Sequence, residues 1–488
     1  MSKIRRSLAY SIASSYFSLI LQIIGTMVIS RLLTPAETGV FAVAAVFAAF
    51  ASTFRDFGVG EYLIQEKELN SAKIRAALTV NIAISWCMGF LLFFGAPFVA
   101  DFYRSSGVAD VMRVQALSFL LIPFGAVTMA NFRRQLDFRP IFISGMLSSV
   151  ASFSTAILCA MNGLGYMSLA WSALAGVIVM VGASLWFRPV DFPRWPGIEG
   201  VGRVIQFGKF ASGIYVFGQI GRGAPEMIIG RAQDLVGVAM FSRGYGLVEL
   251  FNRSVLNAVV PVCLPYFAKD NREQGSVVNG YLKSISYITA IGWPFFAFVG
   301  IAAYAAIRVF YGYQWIDAVP LSQLLCIVGA VELIHYLSKE VLIAADDVKR
   351  SNALQIWLQS IRIVGLLAVI PFGLTGACFG LLAAALIGSA LSQWNLYCSI
   401  GLEFKDVIKS CIPSALITLL TIAPVVAWTV FEPISELNYL RFAFVGGGGT
   451  ALIWVFSLKF FQHPLWFEVV VMSKILYSKI QMQKAVDR

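Results

Sequence analysis

Long apolar runs separated by short polar segments recur along the whole sequence. A transmembrane helix needs about 20 consecutive, mostly apolar residues, and fourteen runs of about this size follow one another here. They lie at 7–30, 39–55, 77–100, 112–130, 141–161, 165–187, 206–230, 238–264, 282–307, 321–343, 353–371, 374–398, 408–430 and 441–461. Because the seventh, eighth and tenth are the least apolar, the pattern predicts an all-α polytopic membrane protein with twelve to fourteen transmembrane helices, fourteen being preferred.

The composition supports this interpretation and excludes other classes of protein. Of the 488 residues, 58% are hydrophobic and 13% are charged, whereas a soluble chain has about 25% charged residues. The mean hydropathy is +0.77. The segments between the runs are short, and no phosphate-binding loop of the GxxxxGK[ST] type occurs. A soluble ATPase or catalytic domain is not expected, and we predict that the protein is not an enzyme.

Metal and redox centres are not expected either. The seven cysteines are scattered, with the closest pair thirteen residues apart, and the sequence has two histidines, His335 and His463. This spacing provides neither a CxxC pair nor a histidine cluster of the kind that binds zinc. The sequence therefore predicts that the protein has no metal site and no cofactor.

Basic residues are distributed unevenly between the two sides of the predicted membrane. With a cytoplasmic N-terminus, 27 lysines and arginines fall in cytoplasmic segments or at the adjoining ends of runs, and six in or next to the opposite segments. Because positively charged loops stay on the cytoplasmic side, both termini are predicted to be cytoplasmic. Most of the net charge of +11 is therefore explained by membrane topology.

Two copies of a short pattern, about 200 residues apart, indicate an internal repeat. In each copy an apolar run ends in arginine, the next run opens with Gly-Val, and a Phe-Arg or Phe-Asn-Arg sequence follows. The members are Arg31, Gly39 and Arg55 in the first copy and Arg231, Gly237 and Arg253 in the second. Both copies start on the cytoplasmic side, so they are predicted to be parallel repeats related by a pseudo-twofold axis along the membrane normal. Chance similarity between two apolar hairpins is the alternative.

The repeat gives the expected domain organisation. One six-helix bundle is predicted for residues 1–190 and a second for 191–400, with a cleft between them. Two additional transmembrane helices are predicted in 401–463. The segment 464–488, which alternates apolar and basic residues, is expected to be a basic amphipathic helix on the cytoplasmic leaflet.

Several ionisable residues lie inside predicted spans, where an arginine facing lipid costs about 2.5–3.5 kcal/mol on insertion scales. Arg222 and Glu226 are four residues apart, and therefore on one face of the seventh span, with Pro225 beside them. The functional hypothesis is a substrate or ion site in the cleft between the bundles. The alternative is an ion pair that only locks helix packing.

The eighth and tenth spans carry further charged residues. Arg243, Glu249 and Arg253 lie in the eighth, and the two arginines either bind substrate or extend to the membrane interface. In the tenth, Glu332 and His335 are three residues apart and form either a satisfied polar pair or a proton site.

Other residues in the predicted spans are expected to serve helix packing or membrane anchoring rather than substrate binding. Gly376 and Gly380 are expected to allow close helix approach. Tryptophans near the ends of spans, Trp315 among them, are expected to lie in the interfacial aromatic belt. Arg362, early in the eleventh span, is expected to extend its charged end to the interface.

Five longer motifs occur in the first 345 residues. They are Arg31-Leu32-Leu33-Thr34-Pro35-Ala36-Glu37-x-Gly39, Asp56-Phe57-Gly58-Val59-Gly60, Phe132-Arg133-Arg134, Phe241-Ser242-Arg243-Gly244-Tyr245 and Phe310-Tyr311-Gly312-x-Gln314-Trp315. As a set they resemble the polysaccharide transporter family, the Wzx-type flippases. Its superfamily also contains the multidrug and toxin extruders (MATE) and the lipid II flippase. The sequence departs from the pattern of this family at two places, and the local geometry expected there is affected. Asn252 stands where the family is expected to have proline, and Ala345-Asp346-Asp347 replaces a Gly-Arg turn.

This resemblance implies a fold and an activity. The fold would be two six-helix bundles, as in MATE transporters and the lipid II flippase, around a cavity that opens alternately to either side. The activity would be translocation of undecaprenyl-pyrophosphate-linked oligosaccharide repeat units across the bacterial inner membrane, for exopolysaccharide, capsule or O-antigen synthesis. The expected partners are this lipid-linked oligosaccharide, inner-membrane lipids, a polysaccharide polymerase and a chain-length regulator, and no nucleic acid.

The resemblance also implies roles for the charged residues. Arginine binds phosphate oxygens through a bidentate fork. The pyrophosphate or an acidic sugar is expected to bind to Arg222, Arg243, Arg253, Arg31 and Arg55. A coupling proton or sodium ion is expected at Glu226, Glu249, Glu332 or His335. Neutral polar residues in the cleft are expected to bind the sugar, namely Gln22, Asn81, Gln219 or Asn257.

Three other functions remain as alternatives. A cation-coupled multidrug antiporter would share the fold, although arginines in the cleft disfavour a cationic drug. A polysaccharide polymerase or glycosyltransferase would need a large extracytoplasmic loop or an acidic metal motif, and the sequence has neither. A scaffold without transport activity would not need arginines in the membrane.

Overall fold

The computed structural model describes residues 3–56, 58–190, 192–193, 195–468 and 470–471, with the side chains of all but 3–9, 11–15, 209–217 and 274. The regular elements of this part of the chain are helices. The predicted amphipathic helix at 464–488 lies mostly outside the described residues. Two compact units can be distinguished. Unit 1 contains the described residues up to Ser242 and the segment Phe310–Gln314, and unit 2 contains Arg243–Val309 and the described residues from Trp315 onward.

Unit 1 is built from eight helices and the first half of a ninth. They are α1 (Lys3–Leu32), α2 (Pro35–Asp56), α3 (Val59–Gln65), α4 (Ser71–Tyr103), α5 (Ser106–Arg134), α6 (Phe138–Met161), α7 (Met167–Trp186), α8 (Val201–Ala232) and the start of α9 (Leu235–Phe251). Consecutive helices pack as hairpins, α4 on α5 and α6 on α7, while α1 packs on α6, α5 on α7 and α2 on α8. The short turns between neighbours force this antiparallel arrangement.

Unit 2 continues α9 through a π-helical turn, Asn252–Leu256, into α10 (Asn257–Gln274). The helices that follow are α11 (Val278–Ile301), α12 (Ala303–Phe310), α13 (Val319–Glu332), α14 (Ser338–Ala344), α15 (Val348–Val369), α16 (Gly373–Ile400), α17 (Phe404–Phe431), α18 (Tyr439–Arg441) and α19 (Gly447–Phe460). The main helix pairs are α11 with α17, α15 with α16 and α13 with α16.

The helices match the predicted membrane spans. Eleven helical stretches of the described residues are long and apolar enough to cross a membrane, judged by length and composition. One of them, Val348–Ile400, contains two predicted runs, in α15 and α16, so the eleven stretches account for twelve runs. The other two runs lie on α1 and α8. All fourteen runs are therefore helical. The predicted all-α polytopic membrane protein is confirmed, and a count of spans beyond these eleven stretches stays a prediction.

Polar residues at the turns determine where several helices begin. The side chains of Asn70 and Asp347 accept hydrogen bonds from the backbone N–H of Lys73 (2.9 Å) and Arg350 (3.2 Å), at the starts of α4 and α15. Such caps satisfy amide groups that the helix itself leaves unpaired. Asp346 adopts a left-handed conformation with φ 63°, which aspartate tolerates better than most residues. The unusual Ala345-Asp346-Asp347 sequence therefore forms a tight turn followed by a helix cap.

Arg134, from the basic motif after the fourth span, has a structural role in unit 1. Its guanidinium donates to the carbonyl oxygens of Leu63 (2.8 Å), Ile64 (3.2 Å), Glu66 (2.5 Å) and Lys67 (3.2 Å). These carbonyls lie at or just beyond the end of α3, where a helix has no partners of its own for them. Arg134 thus fixes the loop between α3 and α4 against the end of α5.

The loop after α17 is attached to α12 in unit 2. The carboxylate of Glu436 accepts hydrogen bonds from the hydroxyl of Tyr304, at 2.5 Å, and from Arg308. These two donors lower the pKa of Glu436. The guanidinium of Arg308 also stacks on Tyr439, 5.0 Å from the ring centroid. The loop between the last two long helices is therefore held by contacts to the body of unit 2.

Glycines allow α15 and α16 to approach closely, as the sequence predicted for Gly376 and Gly380. A Cβ atom on Gly380 would collide with the carbonyl oxygen of Gly365, and one on Gly376 would lie 2.6 Å from that of Val369. Backbone contact of this kind is a principal source of helix association in membranes. The prediction that these glycines serve packing is confirmed.

We expect Gly380→Leu to destabilise unit 2 by about 1–3 kcal/mol, the usual cost of overpacking a close contact. The measurement is the thermal unfolding midpoint of the purified protein in detergent. Gly448→Leu is the matched control, because nothing lies within 4 Å of a Cβ at that position of α19. Equal losses in the two variants would contradict the packing role of Gly380.

Candidate functional site

Arg31, at the end of α1 in unit 1, forms hydrogen bonds to backbone carbonyl groups. Its guanidinium donates to the carbonyl oxygens of Met27 (2.7 Å) and Phe310 (3.4 Å). The side-chain amide of Gln314 donates to carbonyls of the same helix end, including that of Leu33 at 2.9 Å. Because the last carbonyls of a helix lack partners within it, Gln314 caps the end of α1. Predicted as a substrate ligand, Arg31 is hydrogen-bonded to two backbone carbonyls in this conformation.

Arg55, the second predicted arginine of unit 1, is held at the end of α2. It forms an ion pair with the neighbouring Asp56, with Nη2 2.6 Å from Oδ1. Its side chain is only 15% exposed, and the guanidinium lies over the ring of Phe119, 5.6 Å from its centroid. The arginine's charge is therefore already balanced by a carboxylate and covered by an aromatic ring.

Arg222 differs from these two because it is exposed and has a neutral partner. Helix α8 packs on α2 through small residues, since a Cβ on Gly223 would come within 2.6 Å of Val46. The neighbouring Arg222 is exposed and donates through Nε and Nη2 to Oε1 of Gln219, at 3.3 and 2.9 Å. Among the described side chains, Arg222 forms no ion pair with Glu226, which is half-buried one turn later. The predicted Arg222–Glu226 ion pair is therefore not formed in this conformation.

Arg243 lies in α9 at the start of unit 2 and stacks on Trp315. The guanidinium carbon is 4.7 Å from the ring centroid, a distance at which cation–π attraction operates. Trp315 is fully buried, so the prediction that it belongs to an interfacial belt is wrong. The next residue, Gly244, permits close packing because a Cβ there would lie 3.3 Å from Leu321 of α13. Arg243 and Trp315, one residue from each of two sequence motifs, therefore meet inside unit 2.

Arg253 and Glu249 form an ion pair at the point where the helix geometry changes. Nε of Arg253 is 3.0 Å from Oε1 of Glu249, and the side chains are 42% and 35% exposed. Nδ2 of Asn252 donates to the other oxygen of Glu249, at 3.2 Å. Asn252 is also the first residue of the π-helical turn Asn252–Leu256. The π-helix therefore begins where the sequence departs from the expected proline, and such turns are often found at functional sites.

Glu332 and Arg362 form an ion pair that the sequence analysis missed. Their carboxylate and guanidinium groups, on α13 and α15, are 3.7 Å apart. The side chain of Arg362 is only 18% exposed. The expectation that it extends to the membrane interface is therefore wrong, because a carboxylate inside unit 2 provides a closer partner. The two residues are too far apart in sequence for helix periodicity to reveal the pair.

A polar cavity of about 320 Å³ lies inside unit 2, between the α13–α14 segment, α15 and α16. It brings the predicted Glu332 and His335 together. The charged and polar residues that line it include Glu332, His335, Lys339, Glu340, Gln359 and Arg362. Sequence reasoning missed Glu340 and Gln359 and assigned Arg362 to the interface. A search for the anion that compensates an arginine inside a span could have paired Arg362 with Glu332.

The residues expected to bind the sugar are in different environments. Gln22 and Asn257 are exposed on their helices, and Gln219 accepts the hydrogen bonds of Arg222. Asn81 is only 6% exposed. Asn81 is therefore enclosed within unit 1, whereas Gln22, Gln219 and Asn257 retain exposed surface in this conformation.

A family model described as "Polysaccharide biosynthesis protein" matches residues 28–320, which is more than half of the chain. The chain belongs to this polysaccharide biosynthesis protein family. The match includes the motifs at Arg31 and at Arg243, whose contacts are described above. The membership agrees with the predicted relationship to polysaccharide transporters and with the expectation that the chain is not an enzyme.

Relatives in the polysaccharide biosynthesis protein family come from several bacteria. Teichuronic acid biosynthesis protein TuaB of Bacillus subtilis strain 168 is 22% identical, over 67% of this chain and 68% of its own. Lipopolysaccharide biosynthesis protein WzxC of Escherichia coli strain K12 is 21% identical, over 75% of both chains. Succinoglycan biosynthesis transport protein ExoT of Rhizobium meliloti strain 1021 is 23% identical, over 66% of both.

Solved structures show which fold this member of the family has. Lipid II flippase MurJ, in an inward closed conformation, matches with a TM-score of 0.72 over 95% of this chain and 100% of its own, at 14% identity. An inward-facing MATE family multidrug transporter matches with a TM-score of 0.60 over 78% of this chain and 95% of its own, also at 14% identity. The predicted fold class, like that of MATE transporters and the lipid II flippase, is confirmed.

Proposed function

We propose that this protein is a flippase for undecaprenyl-pyrophosphate-linked oligosaccharide repeat units in the bacterial inner membrane. It is a multi-pass membrane protein of the polysaccharide biosynthesis protein family, with a fold shared by a lipid II flippase. The names of its relatives, which refer to teichuronic acid, lipopolysaccharide and succinoglycan, support a polysaccharide repeat unit as cargo. Both termini would be cytoplasmic, and a polysaccharide polymerase and a chain-length regulator would act next.

The environment of Arg222 is the observation that carries the proposal. This arginine lies within the seventh predicted span, is exposed, and donates to the neutral amide of Gln219. An arginine facing lipid at that depth would cost about 2.5–3.5 kcal/mol, so water or an anion must compensate its charge. The pyrophosphate of a lipid-linked sugar is such an anion, and its oxygens match the guanidinium fork.

Arg243 and Arg253 of unit 2 are also proposed to bind phosphate or acidic-sugar oxygens. Each is already oriented by a neighbour, Arg243 by the ring of Trp315 and Arg253 by Glu249. Orientation before binding reduces the entropy lost when substrate binds. Glu226 and Glu249, next to these arginines in sequence, would bind a coupling ion when the substrate leaves.

A cation-coupled multidrug antiporter is the second function, supported by the fold shared with MATE transporters. The exposed arginine on α8 disfavours it, since a cationic drug would be repelled by the same charge that attracts a phosphate. Transport of a cationic dye such as ethidium by the purified protein in liposomes, without movement of lipid-linked sugar, would favour this alternative.

Deletion of the gene in a strain that produces surface polysaccharide tests the flippase proposal. We expect lipid-linked repeat units to accumulate in the cytoplasmic leaflet and surface polysaccharide to disappear, because the substrate is made inside and can no longer cross. Leaflet position is measured by enzymatic access to the glycan in inside-out and right-side-out vesicles. A second deletion, of the enzyme that starts the repeat unit, should abolish the accumulation. Normal surface polysaccharide in the first strain would overturn the proposal.

A further inference from the structure

The polar cavity of unit 2 contains a histidine that the proposed substrate site does not use. We infer that Nδ1 of His335 is a protonation site, and that a single proton is the ligand of this cavity. His335 is 9% exposed, and within the described part of the chain its Nδ1 atom is buried without a hydrogen-bond partner. Only the consequence for transport rests on the proposed function, because proton uptake is a property of the folded chain alone.

Neighbouring groups fix which nitrogen of His335 carries hydrogen. Its Nε2 is 3.1 Å from Oε1 of Gln393, and Nε2 of Gln393 donates to the carbonyl oxygen of Leu402 at 2.9 Å. A carbonyl oxygen only accepts, so the amide of Gln393 must present its NH₂ group to Leu402 and its oxygen to His335. The neutral imidazole therefore carries hydrogen on Nε2, and its Nδ1 lone pair can accept a proton.

In the part of the chain that the structure describes, the same cavity is lined by two further residues that have a buried acceptor without a partner. Oε2 of Glu340 and Oε1 of Gln359 are buried and, among the described residues, have no hydrogen-bond partner. Both residues line the same cavity as His335. Protonation converts Nδ1 from an acceptor into a donor. The three unpartnered buried atoms of these described residues, all acceptors, would then become one donor and two acceptors.

The charges that face the cavity are balanced before the proton enters. Its ionisable residues are Glu332, His335, Tyr336, Lys339, Glu340 and Arg362, from the α13–α14 segment and α15, and the lining residues of α10 and α16 are uncharged. Glu332 is paired with Arg362, at 3.7 Å. Lys339 and Glu340 contribute opposite charges. The cavity can therefore accept one positive charge, which Glu340 would stabilise.

A proton fits this cavity better than a metal ion does. Hard cations such as Mg²⁺ and Ca²⁺ need six or more oxygen ligands, whereas the cavity offers an imidazole nitrogen among its unpartnered atoms. The described residues also contain no group of three or more His, Cys, Asp or Glu side chains that could hold a metal.

The position of His335 connects its charge with a break in the helix. A 3₁₀ turn, Leu333–His335, separates α13 from α14, and the hydroxyl of Ser338 donates to the carbonyl oxygen of His335 at 2.6 Å. Regular α-helix hydrogen bonding is therefore interrupted at the protonation site. If unit 2 has two arrangements with different affinities for the proton, a pH gradient would shift the balance between them. Proton uptake from water and release to water at His335 would thus make transport by the proposed flippase depend on a pH gradient, in addition to any ion bound at Glu226 or Glu249.

Because the chain has two histidines, ¹⁵N-histidine labelling and NMR of the purified protein in detergent test the inference directly. We expect one imidazole to be the Nε2–H tautomer at high pH and to bind a proton on Nδ1 as the pH falls. His463→Gln removes the other signal and completes the assignment. Both nitrogens of His463 are hydrogen-bonded, to Ser286 (2.9 Å) and to the backbone of Leu465 (3.2 Å), and burial lowers its pKa.

Gln393→Leu provides a test of the hydrogen-bond geometry. Without the accepting amide oxygen, His335 should lose its preference for the Nε2–H tautomer and show a mixture of both, while thermal unfolding in detergent reports whether the variant is folded. A His335 signal that stays neutral over the whole pH range in which the wild-type protein is folded would overturn the inference. So would a signal that responds to sodium at constant pH and not to protons.

Transport measurements separate this inference from the proposed function. In liposomes containing lipid-linked oligosaccharide, we expect the wild-type rate to depend on a pH gradient and His335→Gln to lose that dependence. A protein in which His335 titrates but which moves no lipid-linked oligosaccharide would support the proton site and contradict the flippase proposal. Transport that depends on the gradient equally in both proteins would overturn the role of His335.

Discussion

Replacing Arg222 with alanine is expected to reduce the transport of lipid-linked oligosaccharide about 10- to 100-fold. Hydrogen bonds to a charged group contribute about 1.5–3 kcal/mol, and the side chain is exposed and, among the described residues, has the amide of Gln219 as the group to displace. Arg222→Lys should recover part of the rate, because it keeps the charge and loses the bidentate fork. The measurement is the initial rate in liposomes containing purified protein, at a substrate concentration below saturation.

The matched control is Arg231→Ala, at the end of the same helix. The guanidinium of Arg231 lies over the ring of Phe102, 5.1 Å from its centroid, and its removal should change the rate little. Thermal unfolding of each variant shows whether a loss of transport reflects a loss of folded protein. Equal losses of rate in the alanine variants of Arg222 and Arg231 would contradict a specific phosphate contact at Arg222.

Hydropathy predicted most of the fold because each helix here carries its own signal. A membrane helix must be both long and apolar, so the fourteen runs mark helices whatever their neighbours are. The internal architecture of the tenth run was not predictable in this way. It is divided into α13, a 3₁₀ turn and α14, and its hydropathy does not reveal that division.

The candidate site was only partly predictable, for a similar reason. A charged residue in an apolar run is conspicuous, and Arg222, Arg243 and Glu332 were found in that way. The group that contacts each charged residue is determined by tertiary packing. Arg243 lies on a tryptophan, and Arg362 pairs with Glu332 of another helix. Helix periodicity relates residues three or four apart, so it suggested Arg222 with Glu226 and missed both of these contacts.

The ion pair between Glu332 and Arg362 should have a large effect on stability. Removing one partner of a buried pair costs about 3–5 kcal/mol, because the other charge remains uncompensated. The side chain of Glu332 is 39% exposed, so Arg362→Leu is expected to lower the free energy of unfolding in detergent by less, about 1.5–3 kcal/mol, the range for a hydrogen bond to a charged group. Adding Glu332→Gln should restore most of the loss, which a double-mutant cycle measures as coupling between the two sites.

The control lies on the same helix. Arg350 and Asp347 are 3.5 Å apart, and their side chains are 36% and 31% exposed, so Arg350→Leu should cost no more than about 1 kcal/mol. Equal losses in the two leucine variants, or no recovery in the double variant, would contradict a buried pair at Glu332. Full recovery would show that packing alone can replace the charges. The pair would then be retained for the charge balance of the cavity around His335, since a buried ion pair is often no more stabilising than apolar residues of the same size.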